Sequence, residues 1–160
     1  MPEQDRAALE ALIAADVRAL TAQSDQIGHA FAARHGLSDN DFRALLHVMV
    51  AEAGGDPLAA GGLRERMGMS GAAITYLVER MIASGHVLRE PDPADRRKVK
   101  LRVADHGLEV GREFFTPLAG HLSSALADVT DADLQAAHRV FGAIVESMRA
   151  FGTDLHVTPE

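Results

Sequence analysis

Residues 57–107, PLAAGGLRERMGMSGAAITYLVERMIASGHVLREPDPADRRKVKLRVADHG, decide the fold. A short helical pattern with Leu58, Leu63 and Met67 comes first, weakened by Gly61 and Gly62, each of which costs about 1 kcal/mol relative to alanine inside a helix. It runs into Gly68-Met69-Ser70, where Gly68 suits a helix end and Ser70 the next N-cap. In the helix that follows, Ile74, Leu77, Val78 and Met81 recur at helical spacing and form an inner face. Ala72, Thr75, Tyr76, Glu79 and, more laterally, Arg80 are left outward, and Gly85 ends the helix. His86–Arg89 can start a strand, and Val99–Val103 alternates as a half-buried one. Pro91 and Pro93 keep the segment between them out of regular pairing, so the tip Asp95-Arg96-Arg97-Lys98 should project as a loop. Helix, turn, helix and basic hairpin make the layout of a winged helix-turn-helix.

Charge is distributed unevenly around this segment. Between Leu63 and Arg102 stand nine bases (Arg64, Arg66, Arg80, Arg89, Arg96, Arg97, Lys98, Lys100, Arg102) and five acids (Glu65, Glu79, Glu90, Asp92, Asp95), so the stretch is +4 in a chain that is −7 overall. Phosphates would be drawn to this region and repelled by the rest, which orients an encounter as well as strengthening it. Double-stranded DNA is the partner expected from this polarity. Ser70, Ala72, Thr75, Tyr76 and Arg80 on the second helix, and Asp95, Arg96, Arg97 and Lys98 on the hairpin, are the candidate contact residues. Three consecutive cations are most often a solvated turn, and outward Thr75 and Tyr76 are ordinary on an exposed helix. Their juxtaposition favours groove and backbone contact. Arg80 is as well suited to brace Asp95 or Glu79 as to touch phosphate.

Outside this segment the chain reads as long amphipathic helices. From Asp5 to His35 the apolar residues Leu9, Leu12, Ile13, Val17, Leu20, Ile27 and Phe31 step by threes and fours, and Gly36 stops the helix. Ser38, with Asp39 and Asp41, caps a second helix holding Phe42, Leu45, Leu46 and Met49. After the hairpin, Leu108, Gly111, Phe115, Leu118, Leu122, Ala125 and Val129 form a seam interrupted by Pro117, where a kink is expected. Thr130 and Asp133 open a last helix with Leu134, His138, Phe141, Val145 and Met148, and the tail after Phe151 is expected to fray. The expected organisation is a mainly α protein with a small β-wing. Residues 37–104 would form the winged helix-turn-helix, and residues 5–36 and 105–151 a helical dimerisation region. The terminal seams exceed what the middle can cover, and a symmetric homodimer that shares them would also present two recognition helices to one duplex.

Several classes are excluded or disfavoured. There is no cysteine, which removes disulfides and thiolate metal sites. The N-terminal residues lack a basic and apolar leader pattern and no run approaches a membrane span, so a soluble, cytoplasmic protein without membrane association is expected. None of the eight histidines pairs at i, i+4, and no H-E-x-x-H motif is present, so no metal site and no cofactor are expected. No nucleophile elbow, phosphate loop or dinucleotide fingerprint occurs, so the chain is not expected to be an enzyme.

The stretches Ala72-Ala73-Ile74-Thr75-Tyr76-Leu77-Val78-Glu79-Arg80-Met81 and Gly85–Val99 resemble the multiple-antibiotic-resistance regulator (MarR) family of winged-helix repressors, over about Leu37 to Gly107. The resemblance implies a regulator, acting as a homodimer on a pseudo-palindromic operator and released by a small molecule. It implies too that an aspartate and an arginine brace the wing while a tip arginine enters the minor groove, roles that fall on Asp95, Arg96 and Arg97 with the two arginines not distinguished. It further implies a pocket for phenolic or other aromatic effectors, for which Phe31, His35, Phe42, His47 and Phe114 are candidates. Each of these is more simply read as core. Where the family usually has Leu-Thr after the second wing strand, this chain has Val103-Ala104, which moves the expected helix cap to Asp105. Two other readings are a winged helix used only for protein interaction, against which the basic wing argues, and a metal-responsive regulator.

Overall fold

The computed structural model describes residues 3–157, which form six helices and one hairpin. In chain order these are α1 (Glu3–Arg34), α2 (Asp39–Ala53), α3 (Ala60–Met67), α4 (Gly71–Ala83), β1 (Val87–Pro91), β2 (Val99–Val103), α5 (Asp105–Ala125) and α6 (Asp131–Val157). The chain divides into two compact units, Met1–Phe115 and Thr116–Glu160.

In the first unit, local chemistry sets the helix ends as the sequence predicts. Ser38 caps α2 in a reciprocal box, its hydroxyl accepting from the Asp41 amide while the Asp41 carboxylate accepts from the Ser38 amide. Gly68 ends α3 at φ 63°, a left-handed conformation that favours glycine, and two residues later the Ser70 hydroxyl accepts from the Ala73 amide at 3.3 Å to start α4. Helix α3 has no side-chain cap and holds through burial of Leu63 and Met67.

The core is one cluster. Ala44, Leu45, Val48 and Ala51 of α2 meet Leu63 and Met67 of α3, Ile74, Leu77, Val78 and Met81 of α4, and Val87 and Leu101 of the hairpin. Burying each large aliphatic side chain contributes about 1.5–3 kcal/mol. β1 and β2 pair antiparallel with Val87 opposite Val103 and Pro91 opposite Val99. On the other edge of β2, the Leu101 amide donates to the Leu58 carbonyl at 2.7 Å and the Val103 amide to the Glu52 carboxylate at 2.9 Å. Those two bonds tie the wing to the α2–α3 region and satisfy an edge that would otherwise lie open.

Three expectations are corrected. β1 starts at Val87 and runs through Pro91, which is tolerated because Pro91 is the last residue of a strand in a two-stranded sheet and needs no further N–H there. Asp105 is the first residue of α5, not its cap; the Leu108 amide donates to the Ala104 carbonyl, which places the cap at Ala104. The face of α5 buried within the chain is Gly107, Val110 and Gly111, while Leu108, Phe115 and Leu122 of the predicted seam are exposed in the single chain, as a seam shared with a second copy would leave them. The helix expected to fray after Phe151 continues to Val157, with residues 158–160 outside the described part.

In the second unit, α5 continues through Pro117 to Ala125, and Thr130 opens α6, its hydroxyl accepting from the Asp133 amide at 3.2 Å. Among the described residues no helix is long and apolar enough to cross a membrane.

The first turn of α5 lies against the root of the wing so closely that a Cβ on Gly107 would sit 2.1 Å from the His86 carbonyl oxygen. Backbone cannot yield as a side chain does. Gly107→Ala should therefore lower stability by about 3 kcal/mol or more, whereas Gly120→Ala, with nothing within 4 Å of its added Cβ, should raise it by about 0.5–1 kcal/mol. Thermal unfolding of the two variants beside the parent checks this, and equal melting temperatures would contradict the close approach.

Candidate nucleic-acid interface

Helix α4 buries one stripe and presents the opposite one. Ser70, Ala72, Thr75, Tyr76, Glu79 and Arg80 are all exposed, and Tyr76 retains 69% of its surface. Thr75 donates its hydroxyl to the Gly71 carbonyl at 2.9 Å, which leaves its methyl group and an acceptor lone pair outward.

Arg80 pairs with neither Asp95 nor Glu79. Its Nε donates to Asp41 Oδ1 at 3.2 Å, and its Nη2 donates to the same oxygen and, at 3.4 Å, to Ser38 Oγ. Its guanidinium lies over the Tyr76 ring, 5.3 Å from the centroid. Asp41 is only 8% exposed. Burial pushes its carboxyl pKa up, but hydrogen bonds from Ser38 and Arg80 outweigh that and hold it below the ordinary carboxylate value. The same pairing raises Arg80. Glu79 instead pairs with Arg89 of β1 at 2.7 Å.

The wing tip is folded by its own aspartates. Asp92 Oδ1 accepts from the Ala94 amide at 2.8 Å, and Asp95 Oδ1 from the Arg97 amide at 3.1 Å. Backbone bonds from Asp92 N to Lys98 O and from Lys98 N to Asp95 O, both 2.8 Å, close the loop. Arg97 reaches back to Asp95 at 3.5 Å although its side chain is 94% exposed. Among the described residues no acid pairs with Arg96 or Lys98.

Cations elsewhere in the segment are largely neutralised. Lys100 faces Asp56 and Asp92, and Arg102 faces Glu52 and Glu90. Besides Arg96 and Lys98, the segment's cations without a carboxylate partner among the described residues are Arg64 and Arg66, exposed in the last turn of α3 just before the turn into α4. Sequence reasoning counted those two without placing them at the site; their position one turn before the Gly68 helix end was the available signal.

Of the candidate effector-pocket residues, four come together. Phe31 stacks on His35 with centroids 4.1 Å apart and meets Phe114 edge-on at 4.9 Å, and Phe42 lies 5.5 Å from Phe31 and 5.2 Å from Phe114. His47 is not part of this cluster; it is half-buried, and burial followed by the charges of Arg66 and Arg43 lowers its pKa. A cavity of about 540 Å³ opens between α1 and α2, lined by Ser24, Asp25, Gly28, His29, Asp39, Phe42, Arg43 and Leu46, so Phe42 alone of the five candidates borders it. Among the described residues no group of three or more histidines, cysteines, aspartates or glutamates could hold a metal ion.

A capped helix exposed beside a braced cationic hairpin defines a winged helix-turn-helix protein. Residues 35–98 match the model of the MarR family. A curated relative, the uncharacterized HTH-type transcriptional regulator YcgE of Bacillus subtilis (strain 168), is 32% identical over 79 residues, which are 49% of this chain and 51% of that protein. The match thus spans about half the length of the curated relative. Two solved structures share the fold along most of the chain. A MarR family protein from Bacillus stearothermophilus is 23% identical with a TM-score of 0.64, covering 93% of this chain and 99% of that one. The MepR–DNA complex of S. aureus is 10% identical with a TM-score of 0.55, covering 82% and 93%. The chain thus has the winged-helix fold of these structures, and the match to the MarR family is carried by residues 35–98.

At the root of the wing the buried His86 is 6% exposed, with Nδ1 2.7 Å from Ser84 Oγ and its ring 4.6 Å from that of His106. Burial, and then the charge of His106, lowers its pKa below the ordinary 6.5, while Asp41 acts weakly the other way. The folded state therefore prefers neutral His86 more than the unfolded chain does, so its contribution is complete above about pH 6.5 and is lost as pH falls below that value. Urea midpoints should drop between about pH 7.5 and pH 5.5, and His86→Gln should remove part of the drop, His47 supplying another part. A drop as large in His86→Gln as in the parent would contradict the assignment.

Proposed function

We propose that this chain is a sequence-specific, DNA-binding transcriptional regulator, a homodimeric repressor that acts on a pseudo-palindromic operator and is released by a small aromatic ligand. The observation that carries the reading is the exposed face of α4, with Thr75 and Tyr76 outward, accompanied by Arg64, Arg66, Arg96 and Lys98, which face no carboxylate among the described residues. Helix α4 enters the major groove, Arg96 enters the adjacent minor groove, and Arg64, Arg66 and Lys98 meet phosphates. Asp95 and Arg97 hold the hairpin in shape. Residues 37–104 form the DNA-binding domain, while 5–36 and 105–151 form the dimerisation region.

Dimerisation is supported by large apolar side chains left exposed in each terminal segment: Leu9, Leu12 and Leu20 on α1, Leu122 on α5, and Phe141, Val145 and Met148 on α6. Patches of that size seldom face water in a monomer. Phe42, the member of the aromatic cluster that borders the cavity between α1 and α2, offers an aromatic effector a ring to stack on, and release follows if the ligand favours a dimer with wrongly spaced recognition helices. A regulator of this kind works in the cytoplasm and needs no catalytic group.

Changing Arg96 and Lys98 to alanine should weaken operator binding and flatten the dependence of log affinity on log salt by about 0.9 for each phosphate no longer neutralised. Arg97→Ala should reduce affinity with a smaller change in slope, because it loosens the hairpin. Light scattering should give twice the 17.1 kDa chain mass. Unchanged affinity and slope in the folded double variant would reject the wing's role, and a monomer that still binds operator tightly would reject the dimer.

A further inference from the structure

We propose that Tyr76 reads one base pair in each half-site and that Arg80 orients it, held in turn by Asp41, so that Arg80 is a positioning residue and grips no phosphate. The inference rests on the DNA-binding reading above.

Tyr76 is the largest side chain on the exposed face of α4, and no core contact accounts for its outward ring. An exposed phenol would ordinarily sample several rotamers, and ordering it on contact with DNA would cost free energy. Here Arg80, one turn along the same helix, covers one face of the ring. The guanidinium is itself fixed, since Nε and Nη2 both donate to Asp41 Oδ1 and Nη2 also reaches Ser38 Oγ. Asp41 has no freedom either, because its other oxygen takes the Ser38 hydroxyl at 2.7 Å and the Ser38 amide at 3.2 Å in the cap of α2. The relay thus runs from a buried helix cap to an exposed ring.

The same geometry argues against a phosphate contact by Arg80. Turning the guanidinium toward DNA would strip a nearly buried carboxylate of its cation, which is strongly unfavourable. Its charge is already spent inside the protein. Arg96 and Lys98 bear no such obligation. With Thr75's hydroxyl proton donated to Gly71 and the Tyr76 oxygen engaged by Arg80, the phenol proton of Tyr76 is the hydroxyl donor of this pair left for a base edge, and its ring can pack on a thymine methyl.

The chain's single tyrosine and lack of tryptophan give a direct probe, since intrinsic fluorescence reports Tyr76 alone. Three folded variants, Arg80→Gln, Asp41→Asn and Tyr76→Ala, would be compared with the parent by binding to a randomised operator pool, by salt dependence and, for the first two, by tyrosine anisotropy. We expect Arg80→Gln and Asp41→Asn to lower the anisotropy, to weaken discrimination about tenfold at the base pair that Tyr76→Ala also ceases to read, and to leave the salt slope at the parent value. Either of the first two variants suffices should the other fail to fold. A slope reduced by about 0.9 per bound subunit in Arg80→Gln, with base preference and anisotropy unchanged, would overturn the inference and make Arg80 a phosphate ligand. If Tyr76→Ala selects the parental sequence, the assignment of Tyr76 falls while DNA binding stands. If the parent enriches no sequence at all, the DNA-binding reading itself fails and takes the inference with it.

Discussion

Burial of the α4 stripe Ile74, Leu77, Val78 and Met81 in the core it shares with α2, α3 and the hairpin is the contact on which the rest of the molecule depends. Once those four side chains point inward, the 3.6-residue repeat dictates that Ala72, Thr75 and Tyr76 point outward. The helix cannot rotate to bury Tyr76 without exposing the core. The Asp41–Arg80 pair adds a directional tie to this non-directional burial, joining the start of α2 to the last turn of α4. Both the core and the exposed face are thereby held to one geometry.

Electrostatics then sorts the surface. A chain of net charge −7 is a poor ligand for a polyanion unless its cations are segregated. Segregation in the sequence is only half of the matter, because a lysine or arginine already facing a carboxylate offers phosphate little. Arg89, Lys100 and Arg102 are spent on Glu79, Asp56, Asp92, Glu52 and Glu90, where they hold the hairpin to the helices. Within residues 63–102, the cations that face no carboxylate among the described residues lie at the end of α3 and at the tip of the wing. Pairs that stiffen the scaffold and cations left for a partner are thus different residues.

Much of this was legible in the sequence wherever the cause is local. Ser38, Gly68 and Ser70 act within a few residues of themselves, and the α4 stripe needs only its own period. Non-local partners were not legible. Asp41 lies 39 residues before Arg80, and nothing in the sequence prefers it to the nearer Asp95 or Glu79. In α5 the sequence carries two apolar stripes at helical spacing, one through Leu108, Phe115 and Leu122 and one through Val110 and Phe114. The second lies inward because Gly107 and Gly111 on that side allow the approach to His86 and Met49, a contact that pattern alone does not specify. Strand ends were misjudged at Pro91 for a similar reason, since a proline is excluded from a ladder only when its missing N–H is needed.

The central claim, that the exposed α4 face and the wing together read duplex DNA, is tested most directly by selecting fragments of genomic DNA on the purified protein and mapping the selected sites with hydroxyl radicals. The account predicts an inverted repeat whose half-site centres lie about 10 base pairs apart, protected on one face of the duplex, with further protection in the flanking minor grooves. No enrichment over random fragments, or protection of one unsymmetrical half-site, would contradict it.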